Sequence, residues 1–250
     1  MLTIYFSGTG NSKYVAELFA HKMDSACHSI EESVDFSALF AAHDVIALCY
    51  PVYASRPPKI MRDFVSSNAD ALKGKRLVIF CTQMIFSGDG ARSLLDSLPK
   101  KHVNVIYAEH FSMPNNINNV AITPLIGQKS IEKKIRKLES KMSKVCANIE
   151  SGKVKRRGFN PISRLLGLPQ ALFLRPLERL ANKTISISKD CTKCGVCVAI
   201  CPTKNLIFDN GKVTPTQKCT VCYRCINKCP KMAMNIIRRG KIKRQYKGVK

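Results

Sequence analysis

The 250-residue chain has no apolar run near the roughly 18 residues needed to cross a bilayer. Its first apolar stretch, Leu2 to Phe6, is too short for the core of a signal peptide, and no basic segment precedes it. Together these absences predict a cytoplasmic protein without a transmembrane segment. Neither the G-x-x-x-x-G-K-[ST] spacing of a Walker A loop nor a G-x-G-x-x-G fingerprint is present, so no nicotinamide nucleotide is expected in a Rossmann site. The five histidines (His21, His28, His43, His102 and His110) form no metal pattern, and no Ser-His-Asp set stands out. Acidic side chains are scarce, 17 against 41 lysines and arginines, which leaves a formal charge of +24. The apolar share of 45% is large enough for a real core and argues against global disorder.

The positive charge is unevenly spread, with dense blocks from Lys129 to Arg164 and in the tail from Arg238 to Lys250. Such blocks attract acidic proteins, anionic lipid or nucleic acid. No nucleic-acid recognition motif accompanies them, so specific nucleic-acid binding is not expected. The tail reads most simply as a solvated basic end that can steer acidic partners by long-range attraction.

Length allows one medium and one small domain. Within a first domain of residues 1–152, residues 1–127 alternate short β-rich runs (Leu2–Phe6, Ala26–Ile30, Asp44–Cys49, Arg76–Cys81, Val103–Tyr107) with helical patterns such as Ser12–Met23 and Lys59–Ser67. Strands apolar throughout and separated by helices predict a parallel sheet covered on both faces. From Ser130 to Glu150, Ile131, Ile135, Leu138, Met142, Val145 and Ile149 form one stripe of a final amphipathic helix, with lysines on the other side. Residues 153–182 are a basic connector rich in Leu and Phe and broken by Pro161, Pro169 and Pro176. A flexible linker would be more polar, so short helices packed between two domains are expected. A membrane-surface role for this piece is the weaker of the two readings. Residues 183–240 form the second domain and 241–250 the basic tail.

Twelve cysteines in a chain expected in a reducing compartment point to metal or redox chemistry rather than disulfides. Eight of them crowd into two copies of one pattern, CTKCGVCVAICP and CTVCYRCINKCP, about 28 residues apart. Zinc usually takes its four ligands as two separated pairs. A C-x2-C-x2-C run instead wraps one face of an iron–sulfur cubane, and the cysteine before proline reaches the other cluster. Cys191, Cys194, Cys197 and Cys229 are therefore expected to hold one [4Fe–4S] cluster, and Cys219, Cys222, Cys225 and Cys201 the second. The small residues Gly195 and Ala199 let the backbone approach. This block resembles a bacterial two-cluster ferredoxin.

At the other end, LTIYF is followed by SGTGNS, which opens a helix. Ser7, Thr9, Asn11 and Ser12 supply neutral hydrogen-bonding groups, Gly8 and Gly10 permit tight turning, and the N–H groups of a helix start face an anion. The set suits a phosphate monoester. It is similar to the [ST]-x-T-G-x-[ST] phosphate loop of flavodoxins, and that resemblance covers about residues 1–150. It implies a flavodoxin-like doubly wound α/β sheet of order 2-1-3-4-5 with FMN at the switch point. It also implies flavin contacts from Pro51, Val52 and Tyr53 after the third strand and from Thr82, Gln83 and Phe86 after the fourth. Flavodoxins commonly stack the ring on a tryptophan, and this chain has none. Tyr53 or Tyr50 on one face and Phe86 on the other are the aromatic covers available, and Met113–Asn116 follows the fifth strand either as a loop closing over the ring or as a plain connection. Cys49 and Cys81 end strands near the flavin rim and read as core thiols rather than redox groups.

The full layout, a flavodoxin-like domain, a helical connector and a small α+β two-cluster domain, resembles the fused flavodoxin–ferredoxin proteins of anaerobic bacteria and archaea. It implies an electron carrier linking FMN, two [4Fe–4S] clusters and redox partner proteins, acidic ones being favoured by the charge. Two other readings stay open: an FMN-dependent reductase of a small molecule or corrinoid fed by the clusters, and a ferredoxin whose flavodoxin-like domain is an empty docking module.

Overall fold

The computed structural model describes residues 1–99, 103–118, 125–237 and 242–249. Its first half runs β1 (Leu2–Tyr5), α1 (Asn11–Lys22), β2 (Ala26–Ser29), α2 (Phe36–Ala41), β3 (Val45–Pro51), α3 (Lys59–Ser67), β4 (Arg76–Gln83), a 3-10 turn (Arg92–Ser97), β5 (Asn104–Ser112) and α4 (Gln128–Glu150). All strand pairs of this sheet are parallel, in the order β2-β1-β3-β4-β5. The sheet is parallel, as the alternating pattern predicts, and the fold is flavodoxin-like, as the resemblance of the SGTGNS loop implied. The central strands β3 and β4 are buried along nearly their whole length, which requires a layer on each face. On one face, Val15 and Phe19 of α1 meet Leu138 and Met142 of α4, and the Phe19 and Phe80 rings pack edge to face at 4.7 Å. On the other, α2 and α3 close over Phe40, Met61 and Val65, with Phe36 edge-on to Phe64 at 4.8 Å. Asp35 caps α2 by accepting from the Ser37 and Ala38 amides. Cys49, Cys81 and Cys146 all lie in this core, and burial pushes the Cys81 thiol up to about 12.

The sheet continues one strand beyond the expected five. The start of the connector, β6 (Lys155–Arg156), pairs in parallel with β5 through Tyr107 and Ala108. What recruits it is Glu109, a carboxylate only 1% exposed that ion-pairs with Lys155 (2.9 Å), Lys141 (3.0 Å) and Arg157 (3.2 Å). Burial alone would raise Glu109, but hydrogen bonds from Lys155, the His110 amide and Lys141 hold it down at about 2. A lone buried carboxylate is costly, so three cations converge on it and carry the chain back across the sheet edge.

The connector then forms two short helices, α5 (Pro161–Leu172) and α6 (Leu174–Thr184). Beyond them lie β7 (Ser186–Ile187), α7 (Val196–Ala199), β8 (Leu206–Asp209), β9 (Lys212–Pro215), α8 (Arg224–Lys228) and β10 (Met234–Asn235). β8 and β9 form a hairpin whose turn, Asn210–Gly211, takes positive φ at both residues. β7 pairs antiparallel with β10. The small domain packs around Leu206, Val213, Ile226 and Met234. α6 sits between the domains: Glu178 pairs with Arg62 of α3 (3.2 Å), and the Asn182 side chain accepts from the Cys219 amide (2.7 Å). Among the described residues no helix is long and apolar enough to cross a membrane.

Replacing Glu109 with Gln should lower stability by about 3 kcal/mol, the low end for a broken buried pair because its cations are partly exposed. A thermal melt should show this as a Tm drop of several degrees. The wild type also has a signed pH dependence. His110, held near 4 first by burial and then by Arg157, takes up its proton more readily when unfolded, so stability falls as pH drops from about 6.5 toward 4. Glu109 adds a second loss as pH falls below about 4.5 toward 2, and Glu109→Gln should abolish this lower phase.

Candidate functional site

The loop after β1 turns at Gly10, whose φ of 103° places it in the left-handed region that glycine tolerates. The Ser7 hydroxyl accepts from the Gly10 amide at 3.1 Å, and the Ser12 hydroxyl bonds Thr82 at 2.7 Å. α1 has no side-chain cap among the described residues and no acid in its first turn. Its leading N–H groups and helix dipole therefore face the loop with no internal acceptor. Ser7, Gly8, Thr9, Asn11 and Ser12 line one side of a cavity of about 340 Å³. Gly10 shapes the turn from outside it.

The rest of the cavity wall carries Pro51, Val52 and Tyr53 after β3, then Thr82 and Gln83 at the end of β4. Tyr53 buries its hydroxyl without a partner among the described residues, a polar group aimed at a space that a ligand would fill. Burial, then the neighbouring Cys222, pushes this hydroxyl well up, so it stays a protonated donor. Phe86 is not part of the wall. It stands 48% exposed on the loop after β4, and Met84 and Met113 line the cavity instead. Tyr50 is also absent: it points into the core and donates to the Gly90 carbonyl at 3.0 Å. The cover on this side is thioether and tyrosine rather than a pair of stacked rings. Pro114, Asn115 and Asn116 close the far side, as the position of this segment after β5 suggested. Asn11 donates to the Pro114 carbonyl and Asn116 to the Thr9 hydroxyl, each at 2.9 Å.

The eight clustered cysteines fall into two sets around two separate cavities. Cys191, Cys194, Cys197 and Cys229 line one, and Cys201, Cys219, Cys222 and Cys225 line the other. In each set the cysteine from the far repeat joins the three of the near one. Among the described residues no three Cys, His or carboxylate groups converge on a point that suits a single metal ion. Each set of four thiols surrounds a space, the donor arrangement a cubane needs. Backbone amides already point at sulfur: Asn205 to Cys201 (3.2 Å), Ala233 to Cys229 (3.3 Å) and Val221 to Cys219 (3.4 Å).

The 28-residue repeat extends to the backbone. Lys193 and Val221 share a φ near 58° (58° and 57°), Lys204 and Met232 lie at 49° and 51°, and Gly195 and Tyr223 at 78° and 60°. Left-handed turns wrap the chain around each thiol set. Where the first repeat uses glycine, the second holds a tyrosine in a conformation costly for a side chain. Tyr223 lines both the cavity of the second thiol set and the cavity beside the phosphate loop.

The two cavities meet at one junction. A β-carbon on Gly8 would collide with the Cys222 carbonyl oxygen, so only glycine admits this approach. Beside it, Arg224 donates to the carbonyls of Ser7 (2.8 Å) and Gly8 (3.1 Å) and forms a two-pronged pair with Glu31 (2.6 and 2.7 Å). Sequence reading missed Arg224, which sits between two cysteines, and nothing in its spacing marks it.

The tail, expected to be solvated, is docked here as well. Ile242 and Tyr246 are buried, and Gln245 donates to the Ile226 and Cys229 carbonyls at 2.8 and 2.7 Å. Tyr246 donates to the Asn11 side chain at 2.5 Å, and Gly248 lies against the Thr9 carbonyl. Burying Ile242 and Tyr246 outweighs the solvation of the flanking cations, whose charged ends can remain in water. Residues 238–241 and 250 of this basic block lie outside the described residues, as does His102.

Family models match the chain in two places, a flavodoxin domain over residues 2–120 and a 4Fe-4S dicluster domain over residues 183–230. No curated protein matches it. Solved structures similar to it include two-electron-reduced Megasphaera elsdenii flavodoxin, 22% identical, covering 56% of this chain and 99% of that one with a TM-score of 0.38. A flavodoxin from the domain Archaea is 12% identical (60% and 97% covered, TM-score 0.36). The Trp repressor binding protein of Bacillus subtilis is 10% identical (58% and 96%, TM-score 0.40). The two domain matches imply FMN and iron–sulfur clusters as cofactors and electron transport as the general role. The chain joins a flavodoxin domain to a 4Fe-4S dicluster domain, the layout of a fused flavodoxin–ferredoxin protein.

Proposed function

We propose that the chain passes electrons between one FMN, seated in the cavity beside α1, and two [4Fe–4S] clusters, and exchanges them with redox partner proteins in the cytoplasm. FMN accepts one or two electrons and each cluster one, so together they link two-electron to one-electron chemistry. The observation that carries this reading is the junction at Gly8, where the second thiol set and the flavin cavity share a wall.

Each neighbouring residue has a definable part. Ser7, Thr9, Asn11, Ser12 and the α1 amides hold the phosphate by neutral hydrogen bonds. Pro51, Val52, Tyr53, Thr82, Gln83 and Met84 hold the ring edge and, with Met113, exclude water. Tyr223 and Val221 fill the space toward Cys222, and Arg224 fixes the distance. Cys219, Cys222, Cys225 and Cys201 then ligate the cluster nearer the flavin. Cys191, Cys194, Cys197 and Cys229 ligate the farther one. Cys194 is exposed, which makes the farther set the natural contact for a partner, and the +24 charge favours an acidic one.

Anaerobically purified protein should contain about eight irons, about eight sulfides and about one FMN per chain. Zinc in place of iron, iron for a single cubane, or refusal of FMN would overturn the proposal. Tyr246→Phe removes one hydrogen bond to the phosphate loop, worth about 1 kcal/mol. An anaerobic fluorescence titration should then show the FMN Kd raised about fivefold, with iron content unchanged.

A further inference from the structure

The connector helix α5 is turned inside out. Ile162, Leu165, Leu166, Pro169, Leu172 and Phe173 recur at steps of three and four, which places them on one face of the helix. Every one of them is exposed, Leu165 to 71%, Leu172 to 70% and Phe173 to 70%. The face turned to the protein is small and polar instead. Gly167 packs against Asp89 and Gly88 so closely that a β-carbon on Gly88 would stand 2.5 Å from the Gly167 Cα, and Gln170 accepts from the Ser55 hydroxyl at 3.0 Å. Asn160 caps the helix by accepting from the Ser163 amide, with Pro161 in the first turn. The helix is thus held by its polar side, and its apolar stripe is displayed. The loop that meets it at Gly88 also presents Ile85, 77% exposed, and Phe86.

Monomeric surfaces rarely carry such a contiguous patch without a use. Charge identifies the occupant. Between residues 153 and 184 the sequence has eight lysines and arginines and one acid, Glu178, which is already paired with Arg62. Lys153, Arg156, Arg164, Arg179 and Lys183 are all exposed. The stripe itself consists of aliphatic and phenyl groups with no hydrogen-bonding member. A protein partner would engage roughly 20–30 residues with aromatic and polar anchors, whereas acyl chains need only apolar surface beside cations.

We infer that α5 is a membrane-surface anchor that lies in the interface of an anionic bilayer, with Ile162, Leu165, Leu166, Leu172 and Phe173 among the acyl chains and the flanking cations at the headgroups. This reverses the sequence-level preference for a packed connector, because the leucines that were expected to fill an interdomain contact face outward.

The test uses the full chain with its cofactors and vesicles of phosphatidylcholine with or without one-fifth phosphatidylglycerol. Because the chain has no tryptophan, Leu168→Trp on the exposed helix supplies a single indole whose emission can be followed on its own. Its emission should shift to the blue with the anionic vesicles and stay unchanged with the neutral ones. In co-sedimentation, Leu165→Asp/Leu172→Asp should reduce the bound fraction at least tenfold while the visible spectrum is retained, and added salt should weaken wild-type binding. Absence of binding to anionic vesicles would overturn the inference. So would binding that the double variant leaves intact, since charge alone would then explain it. A wild type that sediments as a dimer while the double variant sediments as a monomer would also overturn it and assign the stripe to a second copy of the chain.

Discussion

The contact between the Cys222 carbonyl and Gly8 is the constraint from which the rest of the molecule follows. Two backbones touch there, so no rotamer change can relieve or widen the gap. Arg224 makes the approach durable by satisfying the carbonyls of Ser7 and Gly8 and discharging its own charge on Glu31. The Arg224 side chain is only 18% exposed, and its two-pronged grip on Glu31 together with its bonds to two backbone carbonyls sets the pair apart from an isolated surface ion pair. The same few residues fix the phosphate loop from one side and the second thiol set from the other. The flavodoxin domain and the iron–sulfur domain are thereby packed into one unit rather than strung as two beads.

The departure of the second cysteine repeat from the first has a physical reading. Gly195 meets the left-handed turn at no cost, while Tyr223 meets it with a bulky side chain. Strain of this kind persists where surrounding structure over-determines it, and here the ring is enclosed between two cavities. The docked tail serves the same junction: Tyr246 bonds Asn11 in the phosphate loop, while the Tyr246 amide donates to Asn227 in α8 at 2.8 Å. Tyr246 thus adds a further tie between the two domains beside that of Arg224.

Much of this could be read from residues because it depends on local pattern. Apolar strands alternating with helices predicted a parallel sheet, the SGTGNS loop located the helix start and through its family resemblance implied the strand order, and the doubled C-x2-C-x2-C-x3-C-P runs grouped the thiols in the crossed manner observed around the two cavities. What escaped is tertiary in origin. β6 is two residues long and exists because Glu109 needs cations, a demand invisible in KVKRR itself. Arg224 carries no periodic signal. Phe86 has the right chemistry and position in sequence, yet Met84 reaches the cavity because of how the loop after β4 turns. In α5 the richness in Leu and Phe was plain, but composition cannot say which way those side chains face. Gly167 and Gly88 decide that by allowing the opposite side to dock.

The central claim is that charge crosses the Gly8–Cys222 junction within one molecule. Flash reduction of the loaded protein under anaerobic conditions, with flavin and cluster absorbance followed after the pulse, tests it most directly. Exchange between the two signals at a rate that does not change with protein concentration is the predicted result. A rate proportional to concentration, or two signals that decay without exchange, would contradict it.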